Sequence, residues 1–425
     1  MSTGLISKDS CLIAPSSLSG EVRVPPSKSQ TQRALLFGLL AKGRSVIHYP
    51  LHSPDVEAMI QACRQLGAEV ITSPSKIEIV GVDGGITAPQ QIIDAGNSGQ
   101  VWRFIGAIAA LASQPISLSG DHSILHNRPI RPLIQALHQL GVYAHMHENS
   151  LMIRGPIGSG RVEMDGQDSQ PVSGMLMAAA FAPGPVEIYV NDPGEKPWVN
   201  LTLSWFQRLG ISCQAEEFRY YRLEGQSHYE GFSYTVPGDF SSAAFLLAAA
   251  LITDSELTLS GLDLEDAQGD KRVLGVLEEM GAKLEIGEKI SVKRGGTLRG
   301  ITIDVTDIID AVPILAVLGC YAAGETHLIG GGMARNKEAD RLAAITNELR
   351  KMGADIQEES GGLIIRSSQL HGAKVVSHAD HRIGMSLTVA ALAAMGETQV
   401  EGISSIAKSY PDFFDHLRQL GVALP

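Results

Sequence analysis

The sequence predicts an α/β protein built from six repeats of about 70 residues, on three observations. Six polar turns each open a helix of small or apolar residues. They are Ser27-Lys28-Ser29, Asn97-Ser98-Gly99, Asp168-Ser169-Gln170, Gly238-Asp239-Phe240-Ser241-Ser242, Asp310-Ala311 and Asp380-His381-Arg382. Six Leu-Gly or Met-Gly pairs each end a second helix: Leu66-Gly67, Leu140-Gly141, Leu209-Gly210, Met280-Gly281, Met352-Gly353 and Leu420-Gly421. β-Branched runs bounded by Gly and Pro lie between them and read as strands.

The order within a repeat is strand, helix, strand, helix, then a short strand pair. In the third repeat, Val162 to Met164 alternates like a strand and a helix is expected near Ser173 to Ala182. Val186 to Val190 is a strand, Val199 to Leu209 a helix, and Phe218 to Leu223 the returning strand. Asp or Ser caps open the helices and Gly closes them. Asp310 precedes a nearly all-apolar helix, Ala311 to Ala322, so it is a cap, a catalytic carboxylate, or both. Lys337 and Arg341, four apart, are expected on one helical face with Glu338 beside it.

Solenoid repeats run to about 20–45 residues, so units of this bulk suggest compact globes of three. The expected domains are 22–237, and 1–21 plus 238–425. Hydrophobic residues make up 44% and charged residues 19%, which suits a globular protein. No segment has the apolar length of a membrane span, and Met1 to Ser10 lacks an apolar signal core. A cytoplasmic location is expected. Cys11, Cys63, Cys213 and Cys320 are scattered, and no Cys or His cluster has metal-ligand spacing. A net charge of −12 argues against a broad nucleic-acid face, so any anion site must gather its cations locally.

Local cation clusters are present. Pro25-Pro26-Ser27-Lys28-Ser29-Gln30-Thr31-Gln32-Arg33 stops a strand and puts hydroxyls, a lysine and an arginine at a helix start. Free N–H groups and positive charge there suit a phosphate or carboxylate. A capped helix with solvated basic residues would explain the same segment, and the glycines of a Walker loop are absent. The glycines of Gly96-Asn97-Ser98-Gly99-Gln100-Val101-Trp102-Arg103 let a ligand approach the backbone, and a plain turn would also explain them. With Arg128, Lys337, Arg341, Arg382 and Lys408, the cations recur at repeat-equivalent turns. Two globes facing each other would gather them in one cleft, fit for a doubly anionic small substrate, with Asp310 and Glu338 as proton-transfer candidates.

These segments resemble the 5-enolpyruvylshikimate-3-phosphate synthase family. The resemblance rests on Ser27-Lys28-Ser29…Arg33, Gly96-Asn97-Ser98-Gly99…Arg103, Arg128-Pro129-Ile130, Gly238-Asp239…Ser241-Ser242-Ala243, Gln268-Gly269-Asp270, Lys337-Glu338…Asp340-Arg341, Asp380-His381-Arg382 and Lys408-Ser409-Tyr410-Pro411-Asp412, in family order over nearly the whole chain. It implies two domains, each of three βαβαββ units in an inside-out α/β barrel, joined by a two-strand hinge with the active site in the cleft. The implied enzyme is a monomer that takes shikimate 3-phosphate and phosphoenolpyruvate, with no cofactor, metal, nucleic acid or membrane.

Matched position by position, the resemblance implies that Lys28, Arg128, Gln170 and Lys408 hold the phosphate of phosphoenolpyruvate, with the Gly99 backbone close by. Arg341 and Arg382 hold its carboxylate. Asp310 contacts the attacking hydroxyl and serves as a base, while Glu338 and Lys28 handle the proton at the methylene carbon. Lys28, Ser29, Arg33, Ser169, Gln170, Trp198, Asp310 and Lys337 contact shikimate 3-phosphate. Glyphosate is expected to compete with phosphoenolpyruvate, since Gly99 leaves room for it.

Departures gather on the acceptor side. Asp168-Ser169 replaces the usual pair of small residues before the glutamine. Glu195-Lys196-Pro197-Trp198 stands where many bacterial members have Ser-Lys-Pro-Tyr, and Met333 where an Asn is common. Phe104 replaces a frequent Pro. Two carboxylates near a bound phosphate are costly unless paired or turned away. A sister family moves the same group onto a UDP-amino sugar and carries a loop cysteine ahead of the Arg-Pro segment. No cysteine lies between Gly120 and Arg128. A relative that only binds anions is the third reading.

Overall fold

A computed structural model describes residues 9–424. The third repeat shows the plan. Gly160–Asp165 lies parallel to Val186–Asn191, on whose other side Tyr220–Leu223 runs antiparallel, with Cys213–Glu216 at the edge. The second and fifth repeats have the same strand order. The first takes its parallel strand, Ser233–Thr235, from far along the chain, and it pairs with Lys42–His48. The fourth takes Ser19–Arg23 onto Glu256–Ser260. The expected boundary at residue 22 thus falls inside a strand. In the sixth sheet, Lys374–Val376 lies parallel to Thr398–Glu401, and Ser10–Ile13 runs antiparallel on the other side.

The opening helices are buried on nearly every side, which explains why they read as apolar all round. In Lys28–Leu40 every residue after Lys28 is buried. Phe240–Ile252, Val312–Tyr321 and His381–Leu392 pack on one another. Side-chain caps sit where the turns suggest: Ser27 accepts from the Gln30 amide, Asp168 from Gln170, Asp239 from Ser242 and Asp380 from Arg382. Each second helix is followed by a glycine in the left-handed region: Gly67, Gly141, Gly210, Gly281, Gly353 and Gly421.

Three local expectations are corrected. The third repeat's first helix is Ser169–Ala179, beginning four residues before Ser173 because Asp168 is its cap. Asp310 caps nothing. It sits in the single 3₁₀ turn Ile309–Ala311 ahead of Val312–Tyr321, and its carboxylate turns to arginines. Lys337 and Arg341 do not share a helical face, because Asp340 caps the helix Arg341–Lys351 and leaves Lys337 outside it.

The residues group into two compact units. One holds Pro26–Pro237 and Ala267–Gly269. The other holds residues 9–25, Gly238–Asp266 and 270–424. Each has its own apolar core, between Ala34 and Val236 in the first, and from Cys11, Ile13, Leu18, Val22, Val24 and the chain after Phe240 in the second.

Candidate active-site residues in each unit

In the unit of Pro26–Pro237, the opening turns of three repeats bring polar side chains together. Lys28 donates to Asp55 across 3.0 Å. Gln32, one turn further along the same helix, donates to the Asp55 carbonyl (2.8 Å) and to Ser98 (3.1 Å). Ser29 accepts from Gln100 at 2.9 Å. Gly99 lies under the side chains of Arg128, Arg103 and Gln170, and a Cβ there would run into the Arg128 guanidinium. Arg128 donates to Asn97 (3.3 Å), which in turn donates to Asp121. Arg103 donates to Gln170 (3.0 Å). Lys28, Gly99, Arg128 and Gln170 therefore belong to one polar cluster at helix N-termini, where anions are favoured.

Arg33 is 1% exposed. It donates to the Thr202 hydroxyl (3.1 Å) and to the Trp198 and Ser29 carbonyls, over the ring of Phe104. It ties the first and third repeats together and braces the turn of Trp198. Trp198 itself is half-buried.

The two unexpected carboxylates are both engaged. Asp168 pairs with Arg103 at 2.9 Å while capping its helix. Glu195, 2% exposed and in the left-handed region at φ 46°, accepts from the Ser169 hydroxyl (2.8 Å) and amide (3.2 Å). Ser169, expected to offer its hydroxyl to a phosphate, here offers it to Glu195.

In the other unit the charges form a continuous chain. Arg341 is 1% exposed and is surrounded by carboxylates: Asp380 (2.8 Å), Asp310 (2.6 Å) and Glu338 (2.8 Å). Asp310 bridges on to Arg382 at 2.9 Å. Burial alone would raise the Asp310 carboxyl, but Arg382, Arg341 and Lys337 overcome it and hold the group below the usual carboxylate range. Burial likewise works against the Arg341 charge, and Asp380, Glu338 and Asp310 more than offset it. Arg382 is buried, yet its Nε has no partner. A buried guanidinium nitrogen left unpaired is costly, so this nitrogen is a candidate donor to an anion. Lys408 donates to the Ala379 carbonyl (2.9 Å), just ahead of Asp380.

Sequence reasoning missed several partners. Asp55, Thr202 and Asp121 complete the first cluster together with Ser98 and Gln100, which flank Gly99, and Asp380 holds Arg341. Asp55 had a signal, since it follows the Ser53-Pro54 start of a helix; Thr202 and Asp121 are distant in sequence from their partners. No group of three or more His, Cys, Asp or Glu among the described residues could hold a metal. No helix among them is long and apolar enough to cross a membrane.

Comparison with known proteins assigns the chain to a family. A family model for EPSP synthase (3-phosphoshikimate 1-carboxyvinyltransferase) matches residues 12–417. The 3-phosphoshikimate 1-carboxyvinyltransferase of Chlamydia caviae is 45% identical over 415 residues, covering 96% of this chain and 93% of its own. That of Acetivibrio thermocellus is 39% identical, covering 96% and 97%. The solved EPSP synthase of Acinetobacter baumannii superposes with a TM-score of 0.82 at 26% identity, covering 98% of this chain and 99% of that one. With a match of this length and identity, the chain belongs to the EPSP synthase (3-phosphoshikimate 1-carboxyvinyltransferase) family.

Proposed function

We infer that the chain transfers the enolpyruvyl group of phosphoenolpyruvate to the 5-hydroxyl of shikimate 3-phosphate, releasing phosphate, in the shikimate pathway toward aromatic amino acids. The family match supports this reading. The site observation that supports it most directly is the chain Arg341–Asp310–Arg382, with an arginine nitrogen left for an anion.

In the proposed mechanism, Arg382 and Arg341 take the carboxylate of phosphoenolpyruvate. Lys28, Arg128, Gln170 and Lys408 take its phosphate, and the Gly99 backbone lets it approach. Ser29, Arg33, Trp198, Gln170 and Lys337 contact the acceptor, and Ser169 joins them on releasing Glu195. The acceptor's 5-oxygen bonds to C2 of phosphoenolpyruvate as its proton passes to Asp310. The methylene carbon takes a proton from the pair Lys28 and Glu338, giving a tetrahedral intermediate. A proton then leaves the new methyl group, the C2–O bond to phosphate breaks and the double bond re-forms. Its arginine neighbours keep Asp310 ionised before the proton arrives, and the same charges lower its proton affinity, so the transfer depends on the substrate carboxylate drawing Arg382 and Arg341 toward itself. Charge moves between fixed cations throughout, so preorganised electrostatics carry most of the rate. The four cysteines are unpaired, as in a reducing compartment, and we place the enzyme in the cytoplasm.

The test is coupled turnover with purified protein. Phosphate release with shikimate 3-phosphate and phosphoenolpyruvate is expected, with none when UDP-N-acetylglucosamine is the acceptor. Calorimetric binding of both substrates without turnover would replace this reading with an anion-binding protein.

A further inference from the structure

Asp270 is a buried carboxyl to which the proposed mechanism gives no role. It lies in the 3₁₀ turn Gly269–Arg272 and is 1% exposed. Its Oδ2 accepts from the Ser241 hydroxyl, in the first turn of the helix Phe240–Ile252. Its Oδ1 is buried with no partner. No Lys, Arg or His nitrogen among the described residues is paired with it. The cations of its own turn are engaged elsewhere: Lys271 donates to the Leu264 and Asp266 carbonyls, Arg272 to the Asp304 carbonyl. The charged groups acting on it are Asp310, Arg382 and Asp239. A carboxylate with two carboxylate neighbours, one cation and one hydroxyl is poorly stabilised in the interior, and such a group keeps its proton.

We propose that Asp270 is a neutral carboxylic acid in the working enzyme, and that by staying protonated it preserves the positive field of Arg382 toward the carboxylate of phosphoenolpyruvate. In this proposal Asp270 is a tuning residue that acts through Arg382. Arg382 has one near counter-charge, Asp310. If Asp270 ionised, Arg382 would face a second, and its attraction for an incoming anion would fall. Burial first, and then the charge of Asp310, push the Asp270 carboxyl up to about 7. Asp270 therefore loses its proton as pH rises through neutrality.

The inference rests on the reading that Arg382 binds the substrate carboxylate, and the experiment separates the two. The KM for phosphoenolpyruvate is measured from about pH 6 to about pH 9 in the wild type and in Asp270→Asn, which copies the neutral acid. The ratio of the two KM values is read, so that ionisation of the substrate cancels. It is expected to rise about ten- to thirtyfold with pH, the effect of one added charge at the edge of the site. Ser241→Ala removes the hydroxyl that favours the ionised form and should move the rise to higher pH. Infrared difference spectra should show a protonated-carboxyl band at about pH 6 that fades as pH rises and is missing from Asp270→Asn. Parallel KM profiles in the two proteins would overturn the tuning role, and lack of the band would overturn the neutral acid. If the band is present and Arg382→Lys leaves the KM unchanged, the neutral acid stands and the Arg382 reading fails.

Discussion

At the scale of single residues, the two arginines assigned to one carboxylate differ in availability. Arg341 is held by Asp380, Asp310 and Glu338, whereas Arg382 is held by Asp310 alone through its side chain and keeps an unpaired Nε. On the proposed mechanism, Arg382 should therefore carry more of the recognition. Arg382→Lys keeps the charge and loses the fork. The expected result is a rise in KM for phosphoenolpyruvate of about 10- to 100-fold, with an unchanged melting temperature, read by steady-state kinetics and calorimetry. Gly99 makes a complementary case. A methyl there would push Arg128 away and crowd Arg103 and Gln170. In Gly99→Ala, kcat/KM for phosphoenolpyruvate should fall about tenfold while the KM for shikimate 3-phosphate changes less. An unchanged value would show that Arg128 shifts without cost. Both residues were legible in the sequence as members of polar turns. Their partners were not. Thr202 lies 169 residues from Arg33, and no local pattern marks that pair.

At the scale of elements, the turns hold their site residues at some conformational cost. His378 and Ala379, just before Asp380, both have positive φ, at 53° and 56°. Non-glycine residues there are strained by about 1–3 kcal/mol each, so the surroundings must enforce the shape. Glu348, on the helix that Arg341 opens, does so. It accepts from the Val376 amide (3.0 Å), His378 (2.8 Å) and Lys351 (2.7 Å). Although burial pulls its carboxyl up, the hydrogen bonds from Lys351, His378 and Val376 outweigh burial and hold it below the ordinary value. A depressed acid stabilises the fold above its unfolded pKa, and that stabilisation is lost as pH falls through the folded value. Glu348→Gln should therefore melt below the wild type at neutral pH, by about 1–3 kcal/mol, and the gap should close below about pH 4. A constant gap across that range would remove Glu348's charge from the account. Legibility at this scale follows locality. The caps Ser27, Asp168, Asp239 and Asp380 and the six closing glycines use neighbouring residues and were readable. The start of the helix near Lys337 is not legible in the same way, because a charged run resembles a helical face and only the bond from the Ala343 amide marks Asp340 as its cap.

At the scale of the whole molecule, the repeat was legible because every unit leaves the same local marks, but the borrowed strands were not. Ser19–Arg23 and Ser233–Thr235 look like any short strand, and only pairing assigns them to repeats that lie far along the chain. Those pairings make the two units unequal as chains. Nearly all of one is a continuous stretch, 26–237, with its own apolar core and with Ser233–Thr235 completing its first sheet. The other depends on Ser10–Ile13 and Ser19–Arg23 to complete two of its sheets. A fragment spanning 26–237 is long enough to bury a full core, at about 70% of its unfolded surface. It should fold alone with one cooperative urea transition and a slope suited to its size. It should show no turnover, since Asp310, Glu338, Arg341 and Arg382 lie outside it. The reciprocal deletion, removing residues before 26 from the full chain, strips Ser19–Arg23 from Glu256–Ser260 and bares a strand edge. It should lower the stability of that unit and leave the unit of 26–237 folded, giving two separate transitions by hydrogen exchange. A fragment that stays unfolded, or a deletion that melts both units together, would show that neither core is sufficient without the other.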